Sequence, residues 1–248
     1  MKVQTPKNSF LQDKTIVWLF FAVVIVEVLA NLFSFEAIVF AFKPLVALLL
    51  MYLYWISSKE RSWLFLCTLF FLLLTSILIL FDSELFLNIG LFTILVHRIL
   101  IIFCIVKLNK IKDFVPVIIA TVPFIFVFSY LLTISDEITK DSFFPLVAQN
   151  ILVSIPAGLV LSNYFMNLDS YTPWLAIFGL VSIALYFIVF IEKCFLSDFP
   201  PTYLRPLGMV LFATSYYTFY KFVMEAEQLN DFQKQVVNRT FISNKKQK

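Results

Sequence analysis

The feature that most constrains this chain is a succession of about eight apolar runs, each roughly twenty residues long and separated by short polar connections. At 1.5 Å per residue, a helix of about twenty residues crosses the roughly 30 Å hydrocarbon core of a bilayer. The predicted spans are residues 15–34, 36–56, 62–81, 85–106, 113–135, 143–165, 173–195 and 203–223. The runs are continuous rather than alternating, so we expect an all-α polytopic transmembrane helical bundle and not a barrel.

The composition leaves no room for a separate soluble domain. Of 248 residues, 61% are hydrophobic and 14% are charged, and the mean hydropathy is +0.91, whereas a soluble domain has about a quarter of its residues charged. We therefore expect an N-terminal segment (1–14), a transmembrane domain (15–223) and a basic tail (224–248).

The distribution of lysine and arginine predicts the orientation. Most of these residues precede the first run, follow the second and fourth runs, or lie in the tail. The positive-inside rule then places both termini in the cytoplasm, with the chain as a multi-pass protein of the inner (cytoplasmic) membrane and the first run as an uncleaved signal anchor. The tail is interpreted as solvated or, alternatively, as a short helix on the anionic inner leaflet.

Polar side chains inside the runs mark the candidate sites, because such groups are costly in lipid. Counting from the run ends places Glu27 and Lys43 at similar depth in the outer half, where we expect them to form an ion pair. The only histidine, His97, lies beside Arg98 nearer the membrane centre. The other candidate ligand-binding residues carry amides, hydroxyls or phenols: Asn31, Ser76, Gln149, Asn150, Tyr216 and Tyr217.

This polar set has two interpretations. The Glu-Lys pair and the amides either hold the helices together or line a cavity for a lipid headgroup or substrate. Alternatively, the Arg98 side chain extends towards the cytoplasmic surface, and His97 is a hydrogen-bonded packing residue.

Several classes of function lack support. There is no HExxH, GxSxG or Walker-type motif, and the chain has only four glycines. Cys67, Cys104 and Cys194 lack metal-ligand spacing and read as core residues, so neither a metal nor a cofactor is expected. The basic residues follow topology rather than forming a stripe, so no nucleic-acid partner is expected.

Short motifs along the chain point to a family. They are Lys43-Pro44 in the second run, Gly90, Phe92 and His97 in the fourth, Gly179 in the seventh, and Tyr216-Tyr217 in the last. This pattern resembles the YhhN, or lysoplasmalogenase, family. The resemblance implies an eight-helix membrane fold and hydrolysis of the vinyl-ether bond of lysoplasmalogens.

The chain departs from that family at two acidic positions. The family's third helix ends in Gly-Asp where this chain has Thr75-Ser76, and its seventh carries Ser-Asp where this chain has Tyr186-Phe187. The missing aspartates are the acids that this hydrolysis would use, since it needs a proton donor and a base to activate water. Glu27 and His97 are then the remaining catalytic candidates.

Three functions follow as hypotheses. The first is a catalytically degenerate YhhN-like bundle that binds membrane lipids or serves as a subunit of a membrane-protein complex. The second is a lysoplasmalogenase-like lipid hydrolase in which Glu27 or His97 transfers protons and Lys43 steadies a phosphate. The third, a small-solute transporter, lacks the pair of Gly/Pro-broken helices that usually marks a transport site.

Overall fold

The computed structural model describes residues 7–81, 83–109, 113–135, 140–166, 173–196 and 201–246, which are predominantly helical and contain no strand. The helices are α1 (Lys7–Leu32), α2 (Glu36–Ser57), α3 (Trp63–Leu78), α4 (Glu84–Asn109), α5 (Val115–Thr133), α6 (Lys140–Met166), α7 (Pro173–Cys194) and α8 (Leu204–Lys246). The predicted all-α polytopic bundle is confirmed.

Six helices of the described chain are long and apolar enough to cross a membrane: α1 from Lys14, α2, α4 from Asn88, α5, α6 from Phe143 and α7. The chain is therefore a multi-pass integral membrane protein. Helix α3 has 16 residues and is about 24 Å long, shorter than an average hydrocarbon core. Helix α8 is the exception in the other direction, with 43 residues and a polar second half.

Consecutive helices pack as pairs, α1 with α2, α3 with α4, α5 with α6 and α7 with α8. Short connections make such neighbours antiparallel, so the start of α1 and the end of α8 lie at one end of the bundle. We call this end the terminal face and the other end the opposite face. Helix α8 also contacts α1, α2 and α4, and α4 contacts α6, so α4 and α8 bring the interior polar residues together.

Aromatic contacts hold the centre of the bundle. The ring of Phe65 lies 4.5 Å from that of Tyr54 and 5.6 Å from that of Phe219, and Phe219 stacks on Phe178 at 4.6 Å. These rings join α2, α3, α8 and α7, and each such pair contributes about 0.5–1.5 kcal/mol beyond its buried area. Large apolar side chains also cover the outside of the bundle, as lipid contact requires: Trp18, Phe92, Phe126 and Leu180 are examples.

Helix α8 passes the predicted end of the last span, residue 223, without a break and continues to Lys246. No proline or glycine follows Gly208 within the helix, and residues 225–235 are mostly good helix formers. The same helix that forms part of the apolar bundle therefore continues as a polar extension at the terminal face.

Candidate functional site

His97 lies inside the bundle and joins three helices. Its ring is 2% exposed. Nδ1 is 2.9 Å from the carbonyl oxygen of Thr68 on α3, and Nε2 is 2.8 Å from the hydroxyl of Tyr216 on α8. A carbonyl only accepts, so we assign the proton to Nδ1, which leaves Nε2 to accept from Tyr216. Both nitrogens of a neutral imidazole are then occupied.

Arg98 places a positive charge next to this pair. Its Nε atom is buried and makes no hydrogen bond with any described residue. The charge acts on His97, Tyr186 and Tyr216. Arg98 precedes the end of α4, Asn109, by eleven residues, or about 16 Å of helix, so its backbone lies well inside the span.

A second set of hydrogen bonds reaches the same region from α6 and α7. The hydroxyl of Tyr186 donates to Oδ1 of Asn150 at 2.5 Å, and Nδ2 of Asn150 donates to the carbonyl of Phe128 at 3.1 Å. We call His97, Arg98, Asn150, Tyr186 and Tyr216 the inner polar layer.

A separate set of charges lies nearer the opposite face. Glu27 is 1% exposed, and its Oε1 has no hydrogen-bond partner among the described residues. Lys43 lies within electrostatic range of it. Arg205, at the start of α8, donates through Nε to Oε1 of Glu192 at 3.2 Å. We call this set the opposite-face charge group: Glu27, Lys43, Glu192, Lys193 and Arg205.

The expected direct ion pair between Glu27 and Lys43 is wrong, because no salt bridge joins these two side chains. Lys43 also experiences the charges of Glu192, Lys193 and Arg205. Glu27 and Glu192 attract its charge, whereas Lys193 and Arg205 repel it. No direct ion pair forms, so Oε1 of the buried Glu27 has no direct donor. A buried polar atom in that state is destabilising unless something else binds it.

Other predicted ligand-binding residues form local contacts. Asn31 donates from Nδ2 to the backbone carbonyl of Glu27 at 2.9 Å, within its own helix. Ser76 donates to the carbonyl of Leu72 at 2.9 Å, one turn earlier on α3. Gln149 is buried on α6 next to Asn150. The hydroxyl of Ser76 and the amide of Asn31 thus satisfy backbone groups.

Tyr217, although next to Tyr216, belongs to a different surface of α8. Its ring stacks on Phe20 at 5.7 Å and lies 5.1 Å from the ring of Phe21, both on α1. The Nζ atom of Lys221 lies 5.6 Å from the Tyr217 ring centroid. The structure therefore places Tyr217 outside the inner polar layer.

Sequence reasoning missed Tyr186, the Glu192–Arg205 pair and an acidic residue on α8, Glu227. Glu227 accepts hydrogen bonds from Tyr54 and Ser58 at the terminal face. The polar composition around Glu227 resembled a solvated tail, and Glu192 and Arg205 resembled ordinary residues at span ends. The signal that could have revealed Glu227 is its spacing of eleven residues from Tyr216, which places both residues on one face of α8.

No group of three or more His, Cys, Asp or Glu side chains within the described ranges is arranged to hold a metal ion. The chemistry that these two sets offer is recognition: a guanidinium with a free donor, a carboxylate with a free acceptor, and phenols already committed to neighbours. Comparison with known proteins gives no match to a family model, a curated protein or a solved structure.

Proposed function

We propose that this integral membrane protein binds a lipid with a zwitterionic, phosphate-bearing headgroup between its helices and does not hydrolyse it. The observation that carries the proposal is the buried Glu27 carboxylate, whose Oε1 has no donor although Lys43 lies nearby without an ion pair. Unpaired charges within a membrane bundle indicate a functional site.

A zwitterionic headgroup would satisfy both residues at once. Its ammonium group would donate to Glu27, and its phosphate would accept from Lys43. Arg205 donates through Nε to Glu192 and has an exposed side chain, so its other guanidinium nitrogens would bind a second phosphate oxygen from the opposite face. The acyl chain would lie against the apolar exterior of the bundle, where lipid chains belong.

Glu27 has an oxygen without a donor, so the proposed absence of hydrolysis rests on the second acid–base group that the reaction needs, for which the other candidates are already hydrogen-bonded. Cleavage of a vinyl-ether bond needs a proton donor and a base that activates water. His97 uses both ring nitrogens, and Tyr186 donates to Asn150. Thr75 and Ser76, at the position of one family aspartate, donate to Thr93 and to a backbone carbonyl.

The test is mass spectrometry of the lipids and proteins that co-purify in mild detergent, with a lysoplasmalogen turnover assay on the same samples. We expect the wild type to retain a zwitterionic phospholipid, and Glu27→Gln and Lys43→Gln to retain several-fold less. Glu36→Gln is the matched control, because Glu36 is an exposed carboxylate at the same end of the bundle. No sample is expected to turn over substrate.

Three other results would contradict the proposal. Equal lipid retention in every variant would identify only annular lipid. Turnover that disappears in Glu27→Gln or His97→Ala would identify a lysoplasmalogenase-like hydrolase. A protein that co-purifies stoichiometrically, without bound lipid, would identify a subunit of a membrane complex instead.

A further inference from the structure

A hydrogen-bonded cluster at the terminal face ties the connection between α2 and α3 to α8. Glu227 accepts one hydrogen bond on each carboxylate oxygen, from the hydroxyl of Tyr54 and from Oγ of Ser58, both at 2.6 Å. The backbone N–H of Ser62 donates to the Tyr54 hydroxyl at 2.8 Å, and that of Arg61 donates to Oγ of Ser58 at 3.0 Å. We call this cluster the clasp.

The clasp is built to be rigid. Tyr54 and Glu227 are both buried, and hydrogen bonds to a charged acceptor are stronger than those between neutral groups. Arg61 adopts a left-handed backbone conformation with φ of 47°. Its guanidinium lies 4.4 Å from the centre of the Trp55 ring, a cation–π contact that holds the connection in this shape.

The clasp and the inner polar layer form hydrogen bonds with the same face of α8. Glu227 follows Tyr216 by eleven residues, which is about three turns, so both side chains project from one face about 16 Å apart. Phe219, Tyr220 and Val223 lie between them and are buried. One face of α8 is thus hydrogen-bonded to α4 at one level, and to the end of α2 and the α2–α3 connection at another.

We propose that the clasp and the His97–Tyr216 hydrogen bond together fix the rotation of α8 about its axis and its position along the bundle. Residues 228–246 extend α8 by about 28 Å beyond the clasp. A movement of this extension would therefore be transmitted along α8, through the clasp, to the inner polar layer. While the hydrogen bonds of the clasp are formed, they resist rotation of α8. When they break, α8 can rotate, which changes the hydrogen bond that His97 accepts from Tyr216.

The single histidine makes the coupling measurable. In protein labelled with ¹⁵N-histidine, every ring signal comes from His97. We expect Glu227→Ala to move the Nε2 signal towards that of an acceptor without a hydrogen bond. We also expect it to change the distances between spin labels at Lys107→Cys and Lys234→Cys, measured in a Cys67→Ser background. The distribution of these distances should have one narrow peak with Glu227 present and should broaden in Glu227→Ala.

The matched control is Glu225→Ala, which removes the same charge two residues away on the same helix. Oε2 of Glu225 has no hydrogen-bond partner among the described residues, so this variant is expected to leave the Nε2 signal and the distance distribution unchanged. A change of the same size in Glu225→Ala would show a general effect of charge and would overturn the role of the clasp.

A folded Glu227→Ala protein with an unchanged Nε2 signal and a narrow distance distribution would also overturn the proposal. If Glu227→Ala does not fold, Tyr54→Phe decides the matter with the same two measurements. That variant removes one hydrogen bond of the clasp and keeps the ring that packs on Phe65. A shifted Nε2 signal in Tyr54→Phe supports the coupling, and an unchanged one contradicts it.

Discussion

The imidazole of His97 donates through Nδ1 to a carbonyl of α3 and accepts through Nε2 from a phenol of α8. Proton transfer to a substrate would first require one of these bonds to break. The more direct role of His97 is to fix α3, α4 and α8 around the guanidinium of Arg98. In this arrangement Nε of Arg98 is a donor of the inner polar layer without a hydrogen-bond partner among the described residues.

We expect Tyr216→Phe to destabilise the bundle, because it leaves the buried Nε2 atom of His97 without a donor. The expected loss is about 1–3 kcal/mol, measured as the free energy of unfolding in detergent. Tyr217 lies outside the inner polar layer, and its ring contacts survive in Phe. Tyr217→Phe is therefore the control, and equal losses in the two variants would contradict the assignment.

Among the helices, α5 and α6 approach each other closely at one glycine. A Cβ atom added at Gly158 would lie 2.8 Å from the backbone nitrogen and 2.9 Å from the Cα atom of Thr121. Both distances are shorter than a van der Waals contact, and both involve backbone atoms that cannot turn aside. Gly158 thus lets two helices pack at a distance that no larger residue permits, as small residues do in membrane bundles.

Gly158→Ala is accordingly expected to lower the unfolding free energy by about 1–3 kcal/mol, the usual range for overpacking. Gly208→Ala provides the comparison, since a Cβ atom at Gly208 meets no other atom within 4 Å. The second variant is expected to be neutral or slightly stabilising, because alanine favours helix over glycine. Chemical unfolding of both variants in the same detergent measures the difference, and equal stability would refute the close approach.

Helix α8 performs two tasks along its length. Its first part carries Tyr216 and packs against α7, and its buried residue Glu227 accepts hydrogen bonds from the end of α2 and from the α2–α3 connection. Beyond Glu227 the helix exposes Leu229 and Phe232. A break near residue 224 would have separated these tasks, whereas the continuous helix joins the bundle interior to its extension.

For the molecule as a whole, an even number of antiparallel helices places both ends of the described chain at the terminal face. Lys59 and Arg61, which follow α2, and Lys107, in the last turn of α4, lie at this same face. The two polar sets lie at different depths: the opposite-face charge group near one end, and the inner polar layer deeper in the bundle. A ligand that enters from the opposite face would meet the charge group first.

The orientation predicted from charge is testable on intact cells that express the protein. In a Cys67→Ser background, a membrane-impermeant thiol reagent is expected to label Ser83→Cys, which is exposed at the opposite face. Lys59→Cys, exposed at the terminal face, is expected to react only after lysis, because the positive-inside rule places that face in the cytoplasm. The reverse pattern would show that the bundle is inserted the other way.

Apolar run length and the absence of alternation were sufficient to predict the helices and the class of protein, because lipid leaves the backbone few ways to satisfy its own hydrogen bonds. The predicted and observed helices agree except at ends such as that of α8. Hydropathy indicates where a segment leaves the membrane, and a helix can continue beyond that point. His97, Arg98, Asn150 and Tyr216 could also be selected as candidates from the sequence, because polar side chains inside apolar runs are costly in lipid.

Only the tertiary structure decided which of these residues meet. Depth along a helix can be counted, but the rotation of each helix and its neighbours depend on packing between distant segments. That is why Tyr216 reaches His97 while Tyr217 packs on α1, and why Glu27 and Lys43 share a depth without forming a pair. Glu227 is the clearest case, because the hydrogen bonds that its carboxylate accepts come from Tyr54 and Ser58, about 170 residues earlier in the chain.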